Sequence, residues 1–395
     1  MAKVLYITYD GILEPLGQSQ VLNYLEKLSK DHEITLMSFE KKQDTKNINY
    51  LNKTESRCRK SGIIWVSLIY HKSLFGTFYD IIKGIYKGLI LKIRNKIEIV
   101  HARSYLPALI SLVLKKTLGS KFIFDMRGLW ADEKADSGTW KRKGTLYKIT
   151  KRLETIFLRE ADKIVSLTEA AVQEIKTFPA LDPNRLDFEV IRTCTNLSLF
   201  KPSISLSNSE KKPSFTLGYV GSISLWYLFD EVLQFFKILQ ERVPNSVLHI
   251  TNRNEHKEIR NFLENYSFPN ESIILESVQH DKVAHSMSSM DAGIFFIQTF
   301  YSKIASSPTK LGEFLALGLP CVTNSGVGDM TSIIEEKKTG VILSNFSRES
   351  LSKGVDNLLA LKEDDELSKR CIESSEKYFS LDNGAKQYNK IYSSF

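Results

Sequence analysis

Short apolar runs alternate with amphipathic stretches along almost the entire chain. In the first half, runs rich in Val, Ile and Phe predict strands at residues 4–8, 34–39, 63–68, 97–101, 122–126, 163–167 and 188–191. They are near-continuously hydrophobic, which marks strands covered on both faces. Between them, residues 19–28, 106–118 and 148–160 repeat their apolar positions at helical spacing. Residues 201–214, K-P-S-I-S-L-S-N-S-E-K-K-P-S, lose that periodicity and predict a linker. The same grammar then restarts, with strands at 216–220, 247–251, 272–275, 292–296, 321–323 and 341–343. Helices are predicted at 229–241, 255–266, 282–290, 308–317, 348–361, 366–379 and 382–395. The alternation predicts an α/β protein with two Rossmann-like doubly wound domains, residues 1–200 and 215–380, facing a cleft. Ligands of such sheets bind at the carboxyl ends of the strands, which makes that cleft the expected site.

Size and composition narrow this little: 395 residues, 42% hydrophobic and 25% charged, describe an ordinary globular protein. The start, M-A-K-V-L-Y-I-T-Y-D, reads as a strand rather than a signal peptide, and no apolar run reaches the roughly 18 residues of a membrane span. Four scattered cysteines give neither a metal spacing nor a disulfide framework. The expectation is a cytoplasmic protein. Charge adds more. Residues 1–200 hold 33 Lys and Arg against 22 Asp and Glu, and the remainder 21 against 24. The basic residues of 72–96 interleave with Phe75, Phe78, Tyr79, Ile82 and Tyr86. That mixture suits peripheral contact with an anionic membrane, with a plain solvated helix face as the simpler reading. No nucleic-acid motif accompanies the charge, so no nucleic acid is expected as partner.

Candidate chemistry gathers at predicted strand ends. The first turn, Asp10 to Gln20, offers Gly17 before a helix, a place for a ligand group to reach backbone N–H donors. The segment H-A-R-S-Y puts His101 and Arg103 just past a strand, and F-D-M-R-G-L-W-A-D-E adds Asp125, Arg127, Trp130, Asp132 and Glu133. An aromatic face beside hydrogen-bonding groups suits a sugar; a salt-bridged loop is the alternative. In the second half Gly221 and Ser222 form a candidate phosphate-facing turn, and Asn252 ends the next strand. S-S-P-T-K-L-G-E predicts a helix with Ser307 as N-cap and Pro308 as first residue. Its free N–H groups at Ser307 and Thr309, with Lys310 and Glu313 on one face, fit a nucleotide diphosphate. Asp291 reads as orienting a strand entry, and His280 and His285 as surface residues. No metal-ligand cluster and no D-x-D pair after a strand is present, so no metal and no cofactor beyond a donor nucleotide is expected.

Taken together, D-G-I-L-E-P-L-G-Q-S-Q-V, H-A-R-S-Y, D-M-R-G-L-W-A-D-E, S-L-T-E-A-A, Y-V-G-S-I-S-L-W-Y, P-T-K-L-G-E-F-L-A-L-G-L-P and N-S-G-V-G-D resemble, in this order, the family-4 retaining glycosyltransferases of GT-B architecture. The resemblance implies an acceptor-binding first domain and a second domain that binds a nucleotide-diphosphate sugar, of UDP or GDP type. It implies a last helix, residues 381–395, crossing back to the first domain. It also implies metal-independent hexosyl transfer to a glycan or lipid-linked acceptor, in cell-surface polysaccharide or lipopolysaccharide synthesis. Under it Lys310 and the Gly221–Ser222 turn would hold the leaving diphosphate, and His101, Arg103, Asp125, Arg127 and Asp132 would orient the acceptor. Two departures stand out. Ala305 occupies the position, eight before Glu313, where the family carries a sugar-touching carboxylate, and Ser222 to Tyr227 replace its usual Arg and Lys. A nucleotide-sugar 2-epimerase and a non-catalytic glycan- or membrane-binding scaffold remain alternatives.

Overall fold

The computed structural model of the chain describes residues 1–202, 215–279 and 282–395. Most of the expected linker and His280 therefore lie outside the described residues. The chain divides into two compact units: Met1–Thr193 with Ile304–Ser306 and Leu381–Phe395, and Cys194–Lys303 with Ser307–Ser380.

The first unit is built on seven parallel strands: β1 (Lys3–Thr8), β2 (Glu33–Glu40), β3 (Ile64–Ile69), β4 (Ile99–Arg103), β5 (Lys121–Asp125), β6 (Lys163–Ser166) and β7 (Phe188–Val190), ordered β3-β2-β1-β4-β5-β6-β7. Six of the eight residues of β2 are apolar or small and all but the first are buried, as its continuous hydrophobic run predicts. Two apolar clusters line one face of the sheet, one around Phe122, Phe124 and Phe157, the other around Leu5, Phe39 and Ile110, while Val4, Leu36, Ile99 and Ile123 are buried on the other. In the sheet register Thr8 lies beside Arg103, and Arg103 beside Asp125. The carboxyl edge thus collects chemistry from three strands. His101 and Arg103 belong to β4 itself, not to a loop beyond it as expected.

The second unit repeats the plan with six parallel strands: β8 (Phe215–Val220), β9 (Ser246–Thr251), β10 (Ile273–Glu276), β11 (Ala292–Ile294), β12 (Cys321–Asn324) and β13 (Gly340–Leu343), ordered β10-β9-β8-β11-β12-β13. Relative to its own first strand this is the order of the first unit, the doubly wound pattern with a switch point beside the first strand. Phe235, Phe236, Phe295, Phe296 and Phe314 are fully buried in its single core. Asp291 accepts the Thr216 N–H at 2.8 Å and so pins the entry to β8, the orienting role expected for it. His285 is exposed, also as expected. Helices at Ile48–Lys60, Leu74–Arg94, Trp130–Asp136, Glu169–Lys176 and Met330–Lys337 join those foreseen.

Candidate functional site

In the first unit the turn after β1 is already filled. The fully buried Glu40 carboxylate, at the end of β2, accepts the N–H of Ile12 at 2.9 Å and of Leu13 at 3.1 Å. Ser38 Oγ donates to the same carboxylate at 2.5 Å. Burial raises the Glu40 pKa, and these donors oppose that rise. The turn therefore does not present free Ile12 and Leu13 N–H donors, contrary to expectation. Gly17 sits in the short helix Pro15–Gly17 with ordinary helical angles (its φ is −62°), and a Cβ there would stand 2.1 Å from the Gly11 carbonyl oxygen. Its smallness serves that packing.

At the carboxyl edge the structure brings His101, Arg103, Asp125 and Arg127 together. Asp125 is buried, with Arg127 Nη1 3.6 Å from Oδ1 and His101 Nε2 3.5 Å from Oδ2. Two tyrosines of the C-terminal helix complete the group. Tyr388 donates to Asp125 Oδ2 at 2.9 Å, and the Tyr392 hydroxyl lies 2.7 Å from His101 Nδ1. Burial alone would raise the Asp125 pKa; Arg127 and then His101 outweigh it and hold it at about 2. Burial lowers the His101 pKa, which favours a neutral ring against Tyr6. His101 and Asp125 thus seat the last helix on the sheet edge. Arg103 is buried too, 3.6 Å from Asp10, and its Nε and Nη1 make no hydrogen bond among the described residues.

Asp132 stands apart from this group. It accepts from Tyr147 at 2.7 Å, Lys151 at 2.9 Å and Arg142 at 3.2 Å, a network that also contains buried Glu154. These contacts lock the helix Thr145–Glu160 to Trp130–Asp136. Trp130 packs against Tyr105 and Trp140.

The second unit reproduces the filled turn. Gly221 adopts φ +103°, a conformation that a side chain would strain. Glu255 accepts the Ile223 N–H at 3.0 Å and Ser222 Oγ at 2.9 Å. Asn252 braces the arrangement, donating to Gly221 O and to Glu255 while its Oδ1 takes the N–H of Asn254 and Glu255. Burial pushes the Glu255 pKa up, but its hydrogen bonds, led by Ser224 and then Asn252, bring it below the usual value. An internal carboxylate thus engages the Ser222 hydroxyl and the Ile223 N–H, and Asn252 braces the turn.

The opposite holds beside it. The helix Thr309–Ala316 begins with Pro308 as its N-cap, one residue later than predicted, and no side chain caps it. Ser307 precedes that cap, and Thr309 opens the helix. Gly318, at φ +77°, closes it as foreseen. Lys310 is buried at 8% exposure, and its Nζ makes no hydrogen bond among the described residues. It lies 3.9 Å from the centre of the Tyr227 ring and 5.1 Å from that of Tyr219. A Cβ on Gly221 would stand 3.2 Å from it, so the glycine turn and the lysine meet as expected. Burial lowers the Lys310 pKa to about 7, against the pull of Glu313 and Glu255. Burial raises that of Glu313 to about 7, against Lys310. An ammonium held by aromatic faces, next to an uncapped helix start and one turn from a carboxylate, is a site with a cation to offer and no internal anion on it.

Tyr219, Tyr227, Glu255 and Glu40 were not singled out from sequence; the aromatic pair Trp226-Tyr227 after the glycine turn was the available signal. Lys303 was also missed: it is buried, with Nζ 3.6 Å from the centre of the Trp226 ring. Ala305 belongs to the first unit, 2% exposed in the apolar cluster of Tyr105, Phe124 and Leu129. Next to it the Ile304 carbonyl accepts Thr168 Oγ1 at 2.7 Å.

Comparison with known proteins adds to this geometry. The family described as "Glycosyl transferases group 1" matches residues 201–378. No curated protein matches by sequence. Among solved structures, sucrose-phosphate synthase from Thermosynechococcus elongatus is similar with a TM-score of 0.73 at 13% identity, over 100% of this chain and 99% of that one. Anabaena HepE, solved with UDP and glucose, gives 0.71 at 12% identity over 100% of both chains. WaaG, a glycosyltransferase involved in lipopolysaccharide biosynthesis, gives 0.66 at 16% over 98% of this chain and 99% of that one. The α/β fold with two parallel sheets is that of the GT-B glycosyltransferases.

Proposed function

Because residues 201–378 match the family described as "Glycosyl transferases group 1", we propose that this chain moves a hexosyl unit from a nucleotide-diphosphate sugar to a glycan or lipid-linked acceptor, with retention, as a family-4 enzyme of the cytoplasm. The observation that carries the reading is the buried, unpartnered Lys310 ammonium beside the uncapped start of the Thr309–Ala316 helix. A diphosphate there gains a charge-assisted hydrogen bond from Lys310 and the N–H groups of the first helical turn around Thr309. Glu313, one turn further in, accepts from the ribose hydroxyls. HepE, whose solved form holds UDP and glucose, and WaaG, named for lipopolysaccharide biosynthesis, support a nucleotide-sugar donor and a cell-surface acceptor.

In the proposed reaction the bond between the anomeric carbon and the diphosphate oxygen breaks as the acceptor oxygen bonds to that carbon from the same face. The acceptor proton passes to the departing phosphate oxygen, so no protein nucleophile takes part. Lys310 and the helix start stabilise the charge that builds on the leaving group, which is the role a metal ion would otherwise fill. On the first unit, Arg103 and Arg127 orient the acceptor, and His101 and Asp125 position Arg127. The absence of a carboxylate at Ala305 means that sugar hydroxyls are read by other groups.

Titration calorimetry with UDP and GDP tests the site. At least one should bind, and Glu313→Ala should weaken it about tenfold, the worth of a hydrogen bond to a charged group. No heat with either nucleotide at millimolar concentration would sink the proposal.

A further inference from the structure

The helix Leu74–Arg94 differs from an ordinary surface helix in what it exposes. Its buried positions are Asp80, Gly84, Gly88 and Leu91. The two glycines let it press onto the Tyr105–Leu118 helix: a Cβ on Gly84 would stand 2.6 Å from Ile110 Cδ1, and one on Gly88 3.0 Å from Leu114 Cδ1. Ile81, Ile85 and Leu89 pack partly against the sheet cluster, but a second set of large apolar side chains points outward. Phe75 is 88% exposed, and Phe78, Tyr79, Ile82, Tyr86 and Ile93 are all more than half exposed. Their spacing of three and four residues draws one stripe along the helix.

Charge completes the pattern. Lys83, Lys87 and Arg94 follow one edge of the stripe at helical spacing. The helix contains a single acidic residue, Asp80, and that one is turned inward, accepting from the Tyr9 hydroxyl at 2.8 Å and the His71 N–H at 2.9 Å. The exposed face therefore combines about half a dozen apolar side chains with basic groups and no carboxylate of its own.

We infer that this face lies flat on an anionic lipid surface, with the aromatic and aliphatic side chains below the headgroups and the lysine edge against lipid phosphates. A second copy of the chain is a poorer occupant, since stripe against stripe would set like-charged edges together. Among the described residues no helix is long and apolar enough to cross a membrane, so the helix rests in the interface rather than spanning it. The inference goes beyond the transferase reading and does not depend on it.

Sedimentation of the full chain with phosphatidylcholine vesicles, with and without about 30% phosphatidylglycerol, tests it. Anionic vesicles should bind at least about tenfold more tightly than neutral ones, and salt should erode the difference. Phe75→Ser with Phe78→Ser, and separately Lys83→Glu with Lys87→Glu, should each cut binding at least about tenfold, with melting temperature and UDP affinity unchanged. Equal partitioning into both vesicle types, or variants that bind like the parent, overturns the inference. So does a parent that ignores lipid and sediments as a dimer that the Phe variant dissociates. UDP affinity of the parent separates the two proposals: its absence breaks the transferase reading and leaves the lipid result standing.

Discussion

The two units gather charge beside a sheet and treat it in opposite ways. In the first, Asp125 has Arg127 and His101 within 3.6 Å and accepts from Tyr388, while His101 meets Tyr392. In the second, Lys310 is just as buried and has aromatic rings around it but no hydrogen-bond partner. Opposite charges paired with each other hold their own fold together; a buried ammonium without an anion stands at a cost that a ligand can remove. Density of ionisable residues is thus a poor guide to a binding site, and unspent capacity a better one.

The largest effect should come from breaking the first unit's charge network. Asp125→Asn leaves Arg127 buried without its carboxylate and should cost about 3–5 kcal/mol of stability, read by denaturant unfolding. If it costs less than about 1 kcal/mol, the network is not what seats the C-terminal helix. Lys310→Met should behave inversely, losing about 10–100-fold in nucleotide affinity while melting no lower than the parent. A fall in both together would make Lys310 a structural residue.

The pH dependences diverge for the same reason. Asp125 titrates at about 2 when folded against 3.8 ordinarily, so its contribution, on the order of 2 kcal/mol, is complete well above pH 4 and drains away as pH falls toward 2. Lys310, brought from 10.5 to about 7, penalises the free folded unit below pH 7, and that penalty lifts as pH rises toward 10.5. Glu313, raised from 4.5 to about 7, penalises it above pH 7, and that penalty lifts as pH falls toward 4.5. The pair's contribution is therefore least favourable near pH 7. Melting curves across pH should show this dip in the parent and lose its alkaline limb, the recovery above pH 7, in Lys310→Met; a flat profile counts against the assignment. The smallest effect belongs to Ser222→Ala, which leaves Glu255 with Ile223 N–H and Asn252: nucleotide affinity should change by about twofold or less. A tenfold loss would return Ser222 to the ligand.

The sheets were legible because parallel strands covered on both faces are written as continuous apolar runs, such as residues 34–39 and 122–126. The helix Leu74–Arg94 was not, because its outward face is apolar and the usual inside–outside contrast is blurred. Lys310 and Glu313 could be found from their spacing and the glycine and proline punctuation around them. Their burial could not, since it depends on Tyr219 and Tyr227, distant in sequence. The same is true of the sheet edge in the first unit: Tyr388 and Tyr392 reach Asp125 and His101 across 263 and 291 residues, and no local pattern encodes such a pairing. Nor did the turns after β1 and β8 reveal that Glu40 and Glu255 would claim their amides.

Those two glutamates make the units alike in one more respect. Each arises at or just beyond the second strand of its sheet and reaches back into the turn that follows the first. A tethered carboxylate competes with dissolved anions at the effective concentration of an intramolecular group, in the millimolar range or above. Each turn thus carries a resident competitive inhibitor of itself. Free phosphates would then meet two occupied glycine turns, and anion selectivity concentrates at the Thr309–Ala316 helix start, which has no side-chain cap and no acidic residue in its first turn.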